Sequence, residues 1–417
     1  MRKRLMPTPT TPNLQNRWQI PAVLAVTVFI NYLDRNNLAL ALPRLAHDFN
    51  WSDREVGSKG ELLLATFFLS YGLSNVLLSP LAERFGAKRS VIVAIVAFSL
   101  VTILSALFGY SFTALIALRL LLGLGEGVHI PMLSAMTSRW FLPGERSRAN
   151  AIWGSGILLS TAIAPLIVVP LIQFWGWRPS FAILGIGGML LSIPLVYFLV
   201  PDESPHAGWQ SAVVSTARDE REKKPLVGYR RDYRFWLAVA GGSLNAFCAF
   251  GLLNWLPTYF NRAKAIDFAQ LGWPLALVFS AGIIGLALMA YLGDKLQQRT
   301  HLAGAGFLIA GGAIYMASTT NRLELLVLFF ALSVFCQSAY GAQEYAIIQR
   351  ILPAERVGAG TGLYNGLSVL LGGVGGSLIP GSIVAATGSF EAAILSLVVG
   401  AWLAEIVMFL LARVLRY

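Results

Sequence analysis

The feature that most constrains this chain is a run of twelve apolar stretches, each long enough to cross a bilayer as a helix. A spanning helix needs about 20 apolar residues, and hydrocarbon leaves no other partner for an open backbone. The stretches fall at about 18–43, 59–80, 88–108, 112–139, 148–174, 177–200, 233–260, 268–293, 300–318, 322–350, 357–386 and 389–414. Composition agrees: of 417 residues only 13% are charged and 56% are hydrophobic. A soluble domain carries roughly a quarter charged residues. The 40 glycines suit close helix packing inside a membrane.

The net charge of +11 could point to nucleic acid, but its distribution does not. Of the 32 Lys and Arg, 23 fall on the segments that share a side with the N-terminus. Seven fall on the opposite side (Arg44, Arg54, Lys59, Arg178, Arg262, Lys264, Arg322), and Arg35 and Arg119 lie within spans. Positive charge gathers on the cytoplasmic side, so both termini are expected there, in a plasma (inner) membrane. The charges flank spans rather than forming a patch, so the expected partners are the lipid bilayer and a solute, with no nucleic acid. A monomer is expected. The first apolar stretch carries Asp34 and Arg35 and no small-residue cleavage site follows it, so it reads as a retained helix. Cys248 and Cys336 lie within spans and read as packing residues.

The expected fold class is an all-α membrane protein, with twelve transmembrane helices in two pseudo-symmetric six-helix bundles. Residues 1–17 form an N-terminal tail and 18–200 the first bundle. The polar, mixed-charge stretch 201–232 is a linker, and 233–417 the second bundle. The halves repeat. LPGER at 142–146 returns as LPAER at 352–356, an offset of 210 that Gly156 and Gly366 share. SPLAERFGAKR at 79–89 has a degenerate partner in AYLGDKLQQR at 290–299. Parallel duplication of this kind builds carriers whose solute site lies at the midplane between the halves.

An ionisable group near the bilayer centre costs several kcal/mol, about 2.5–3.5 on insertion scales, and such groups usually have a task. Asp34 and Arg35 lie deep in the first span. Adjacent residues point about 100° apart on a helix, so each must meet partners on other helices. Arg35 can bind an anion bidentately and Asp34 can take up a proton. A structural ion-pair network is the competing reading. Arg119 and Glu126 lie in the fourth span, seven residues and so two turns apart on one face. A carboxylate shielded from water binds protons more readily than one on a surface, which is what proton coupling needs. His129 lies one turn beyond Glu126 and can be a packing residue or a relay. Glu344, toward one end of the tenth span, can line a cavity or sit at the interface; its neighbour Gln343 and Asn254 are further candidate lining residues. Glu83, Arg84 and Arg89, with Lys88, crowd a short turn whose ion pairs could hold a gate; Asp294 is the counterpart in the second half. No nucleotide loop, metal cluster or nucleophile motif occurs, so neither an enzyme nor a primary pump is expected, and no cofactor or metal beyond protons as the coupling ion.

These residues resemble a known family. SPLAERFGAKRS is similar to the signature between the second and third helices of the major facilitator superfamily. Glu83 stands where an Asp is usual and Ser79 where a Gly is usual. RLLLGLGEG resembles the family's fourth-helix motif. INYLDRNNLALALP, GLGEGVHIPMLSAMTSRWF with LPGERSRA, NWLPTYF at 254–260 and the GLYNG and IPG elements of helix eleven resemble the anion:cation symporters. That branch includes bacterial hexonate and hexuronate carriers, sialin and vesicular glutamate transporters. The resemblance implies proton-coupled uptake of a small organic anion, such as a sugar acid or other carboxylate. It implies that Arg35 and Arg119 contact the substrate carboxylate, that Asp34 and Glu126 are the protonatable pair, and that Tyr32, Tyr345 and Asn365 line the cavity. One departure stands out: the hexonate carriers have a polar amide where this chain has Ile157, which leaves room for a less hydroxylated anion. Proton-coupled efflux of a drug or metabolite, and a solute sensor that moves nothing, are the rival readings. All four buried charges lie in the first half, so proton handling is expected there and gating in the second.

Overall fold

The computed structural model describes residues 17–141, 145–201, 228–352 and 357–415. The tail before residue 17, most of the 201–232 linker, and parts of the LPGER and LPAER repeats lie outside the described residues. Among the described residues twelve long helices account for the twelve apolar stretches. They are α1 (Gln19–Asp48), α2 (Asp53–Leu77), α3 (Ala87–Phe108), α4 (Phe112–Trp140), α5 (Arg146–Trp175) and α6 (Trp177–Leu199) in the first half. The second half holds α7 (Tyr233–Thr258), α8 (Gly272–Leu296), α9 (Arg299–Thr319), α10 (Leu323–Ile351), α11 (Val357–Thr387) and α12 (Phe390–Leu415). The turn between α2 and α3 folds as a short helix, Ser79–Arg84.

Among the described residues eleven helices are long and apolar enough to cross a membrane. The exception is α1, which is long enough at 30 residues but carries buried Asn31, Asp34, Arg35, Asn36 and Asn37. Its position explains how it can be so polar. It packs on α5 and α6 of its own half and on α7 of the other, so it has little surface for lipid. Conversely, α6 and α3 present Leu190, Phe198 and Val93 outward, as lipid-facing helices do. Several helices run past the apolar stretches read from sequence. α1 continues to Asp48, and α2 begins at Asp53 behind a capping box in which Ser52 and Glu55 satisfy each other's backbone N–H.

The duplication shows in the turns. α5 and α6 are joined through Gly176 at φ 79°, and α11 and α12 through Gly388 at φ 76°. Both have positive φ at matched turns, where a side chain would be strained. The packing, however, is not duplicated. A Cβ on Gly156 would collide with the Ala25 carbonyl of α1 and approach Phe29 N to 3.0 Å, whereas one on Gly366 meets nothing within 4 Å. Gly156→Val is therefore expected to lower the melting temperature in detergent, since overpacking costs about 1–3 kcal/mol. Gly366→Ala should leave it unchanged.

The halves meet mainly through α2 on α11, α5 on α8 and α1 on α7. At the face away from the chain ends they are fastened. Arg262 Nη1 lies 3.4 Å from Asp53 Oδ1, and Ser382 Oγ donates to Glu61 Oε2 at 2.7 Å. Gly57 lets α2 press on the α11 backbone at Gly381. Toward the chain-end face, α11 presents Gly362, Asn365 and Gly366 exposed.

Candidate functional site

The buried charges assemble into one network at the middle of the first half. The fourth helix makes this possible by breaking: its Phe112–Glu126 part ends at Gly127, where a Cβ would lie 2.6 Å from the Tyr71 carbonyl, and His129–Trp140 resumes. Glu126 therefore sits at a helix joint, fully buried, facing α1. Arg35 donates to its Oε2 twice, through Nε at 3.1 Å and Nη2 at 2.9 Å. The two side chains are 4% and 0% exposed, which makes this a pair shielded from water rather than a surface bridge. The guanidinium also lies over three rings, Tyr32 at 4.3 Å, Tyr71 at 4.5 Å and Phe67 at 5.1 Å. Aromatic faces stabilise a cation where water cannot.

Asp34 has no direct cation. Its Oδ2 accepts from Thr102 Oγ1 at 2.6 Å and its Oδ1 from Asn37 Nδ2 at 2.7 Å. Asn37 Oδ1 in turn accepts from Arg119 Nη2 at 3.2 Å. Each member of the adjacent Asp34–Arg35 pair thus finds its partners away from the other, as helix geometry requires. Counting Asp34, Arg35, Arg119 and Glu126 as ionised, the cluster sums to zero.

Two cavities adjoin it. A water-sized one, about 10 Å³, is bounded by Arg35, Asn36, Arg119 and, from the second half, Asn254. A larger one of about 300 Å³ lies at mid-membrane between the halves, walled by Tyr32 and Ile157 on one side and by Phe250, Phe279 and Gln337 on the other. Leu253 lines both, and Tyr32 joins the wall of the larger cavity to Arg35.

Several residues expected at the site stand elsewhere. Gln343 is not a cavity residue. It is fully buried against Gly293, donates to Met289 O at 2.8 Å and accepts from Arg299 Nη1 at 2.7 Å, so it fastens α10 to the α8–α9 turn. His129 is not a cavity residue either. It is wholly enclosed, edge-on to Phe98 at 5.9 Å. Tyr345, 48% exposed, and Asn365, also exposed, are not among the walls of the 300 Å³ cavity. Glu344 accepts from Tyr364 Oη at 2.9 Å, and Tyr364 shares a 2.6 Å hydrogen bond with Tyr340. Asn254 bonds Ser377 Oγ at 3.0 Å, within the second half. The turn residues pair inside their own halves: Glu83 with Arg139 at 3.9 Å, and Asp294 with Arg299 at 2.7 Å. Arg84 and Arg89 are exposed at the chain-end face.

Asn37, Thr102 and Tyr71 went unnoticed in the sequence. Asn37 had a signal, being one helical turn from Asp34. Thr102 and Tyr71 had none, because their role depends on how α3 and α2 pack. Among the described residues no group of three His, Cys, Asp or Glu gathers to hold a metal.

Paired six-helix halves enclosing a mid-membrane cavity beside buried charges define a membrane carrier, and the comparisons agree. The Major Facilitator Superfamily profile matches residues 24–376 and 260–416, and the chain belongs to that family. It is a transporter and not an enzyme. The hexuronate transporter of Bacillus subtilis is 28% identical over 90% of this chain and 90% of its own length. The probable sulfoacetate transporter of Cupriavidus necator is 28% identical over 91% and 90%. The probable galactarate/D-glucarate transporter of Bacillus subtilis is 26% identical over 93% and 90%. Among solved structures, an inward-facing, unoccupied bacterial homologue of the human lysosomal transporter Spinster superposes with a TM-score of 0.79. It is 19% identical, covering 95% of this chain and 97% of that one. A D-xylose-proton symporter gives 0.75 at 16% identity, covering 95% and 98%. These last two speak to the fold alone.

Proposed function

We propose that this protein takes up a small organic anion together with protons by alternating access, in a plasma membrane with both termini in the cytoplasm. The observation that carries the reading is the Arg35–Glu126 pair. Arg35 is the one cluster cation gripped by a carboxylate, and it lies beside the cavity through Tyr32. A substrate carboxylate and Glu126 would compete for the same guanidinium. A proton on Glu126 releases Arg35 to the substrate, and loss of that proton expels the substrate by restoring the internal pair. The relatives that carry hexuronate, galactarate or glucarate, and sulfoacetate by name are anion transporters, which supports an anion here.

Charge decides the coupling. The empty cluster is neutral with Asp34 and Glu126 ionised. One bound monoanion leaves it at minus one, and one proton restores neutrality. Moving net charge through the closed, water-poor state is costly, so the neutral empty and neutral loaded forms reorient most readily. A second proton on Asp34 would make the loaded carrier cationic and its turnover dependent on voltage.

With the far face fastened through Arg262–Asp53 and Ser382–Glu61, the conformation corresponds to the carrier facing the cytoplasm. Titration calorimetry of the purified protein in buffers of different ionisation enthalpy tests the coupling. The expected result is uptake of about one proton per bound monoanion, with affinity rising as pH falls. A binding enthalpy independent of buffer, together with uptake into proteoliposomes that ignores an imposed pH gradient, would sink the reading.

A further inference from the structure

Resting on the anion-transport reading above, we propose that the substrate is a carboxylate with a largely apolar body, bearing at most one or two polar substituents, rather than a polyhydroxylated acid. The juxtaposition that points there is between the arginine end of the site and the walls of the 300 Å³ cavity beyond it. At one end Tyr32 stacks on Arg35 at 4.3 Å. From there the walls are Ile157 and Leu158 of α5 facing Phe250 and Leu253 of α7 and Phe279 of α8. These come from both halves, so they close on the part of the substrate that lies away from the carboxylate.

Most of the hydrogen-bond donors of this cavity are already engaged. Thr161 Oγ1 donates to the Ile157 carbonyl at 2.9 Å. Ser338 Oγ donates to Val334 O at 2.9 Å and Gly282 O at 3.1 Å. A hydroxyl has one hydrogen, so both donors are turned back into helices. Gln337 Nε2 donates to Asn245 O at 3.0 Å and Asn245 Oδ1 at 3.2 Å. That pairing leaves Gln337 Oε1 and Asn245 Nδ2, one acceptor and one donor on neighbouring side chains of α10 and α7. Such a pair suits a single hydroxyl or carbonyl on the substrate. A sugar acid brings four or five hydroxyls, each needing partners once water is expelled, and Ile157, Phe250 and Phe279 offer none. Unpaired polar groups in an enclosed site weaken binding, whereas an aryl or branched alkyl body is matched by these walls.

The test is counterflow in proteoliposomes holding the full-length protein, with a matched panel: 4-methylpentanoate, 3-phenylpropanoate, 3-(4-hydroxyphenyl)propanoate, gluconate and glucuronate. The expected result is exchange of the apolar-bodied acids, with the two sugar acids weaker by on the order of 100-fold, the discrimination available to a pocket that lacks partners for hydroxyls. Ile157→Asn, which adds a donor and an acceptor to the wall, should narrow that gap about tenfold, roughly the effect of one gained hydrogen bond. Exchange of gluconate or glucuronate as good as that of the apolar acids would overturn this inference and leave anion transport standing. Exchange of none of the five would overturn both. The wild-type panel decides the matter even if Ile157→Asn proves unstable.

Discussion

Glu126→Gln is expected to abolish gradient-driven accumulation while leaving substrate exchange intact. Glutamine matches the protonated carboxyl in shape and charge. Its side-chain oxygen can still accept from Arg35, which now reaches Glu126 Oε2 at 3.1 and 2.9 Å, but it cannot form an ion pair. Arg35 is then held loosely at every pH and stays available to the substrate. For electroneutral one-proton symport, a pH gradient of one unit supports about tenfold accumulation, or about 1.4 kcal/mol. The variant should fall to no accumulation, with counterflow near the wild-type rate and substrate affinity flat with pH. The readouts are accumulation at a fixed inward gradient, counterflow without one, and binding across pH. Wild-type accumulation by Glu126→Gln would remove Glu126 from the coupling. Asp34→Asn should behave differently. Asp34 accepts from two neutral donors, Thr102 at 2.6 Å and Asn37 at 2.7 Å, and has no cation to release. Its loss should disturb the Asn37–Arg119 link more than the competition for Arg35.

The fold was legible because its signals are long and local. Twelve apolar runs, the asymmetry of Lys and Arg, and the 210-residue offset need no tertiary information to read. Even α1, too polar to qualify as an apolar span, gave itself away by placing Asp34 and Arg35 within a hydrophobic stretch. The chemistry of the site was legible only in its parts list. Asp34, Arg35, Arg119 and Glu126 stand out singly, since each is costly in a membrane, but their pairing does not. The seven-residue spacing put Arg119 and Glu126 on one face but named no partner for either. In the structure Glu126 is held by Arg35 of the first helix, and Arg119 bonds Asn37. Gln343 shows the converse error: a polar residue on a central helix looks like a cavity wall until Gly293 and Arg299 are seen to claim it. Symmetry misled in the same way. Gly156 and Gly366 are equivalent in sequence, yet only the first is packed against another helix. Repeats record the ancestry of the backbone, whereas contacts depend on which faces the two halves turn to each other.

Arg35→Lys is expected to cost substrate affinity about 100-fold, the second large effect. Lysine keeps the charge but loses what this position uses. The guanidinium donates through two nitrogens to one carboxylate oxygen while lying over the rings of Tyr32 and Tyr71. An ammonium is a more strongly hydrated point charge that can satisfy neither arrangement fully, and a loss of about 2–3 kcal/mol follows for a charge-assisted, shielded contact. Arg35→Ala is more severe and mixes two effects. It leaves Glu126 buried without a cation, a defect worth about 3–5 kcal/mol of stability. The double variant Arg35→Ala/Glu126→Gln removes the orphaned charge as well. It should regain most of the melting temperature lost by Arg35→Ala and none of the binding. Melting temperature and equilibrium binding, measured side by side on the three proteins, separate the outcomes. A double variant that recovered both stability and wild-type affinity would mean that Arg35 serves to hold α1 against α4, and that the anion is bound elsewhere in the cavity.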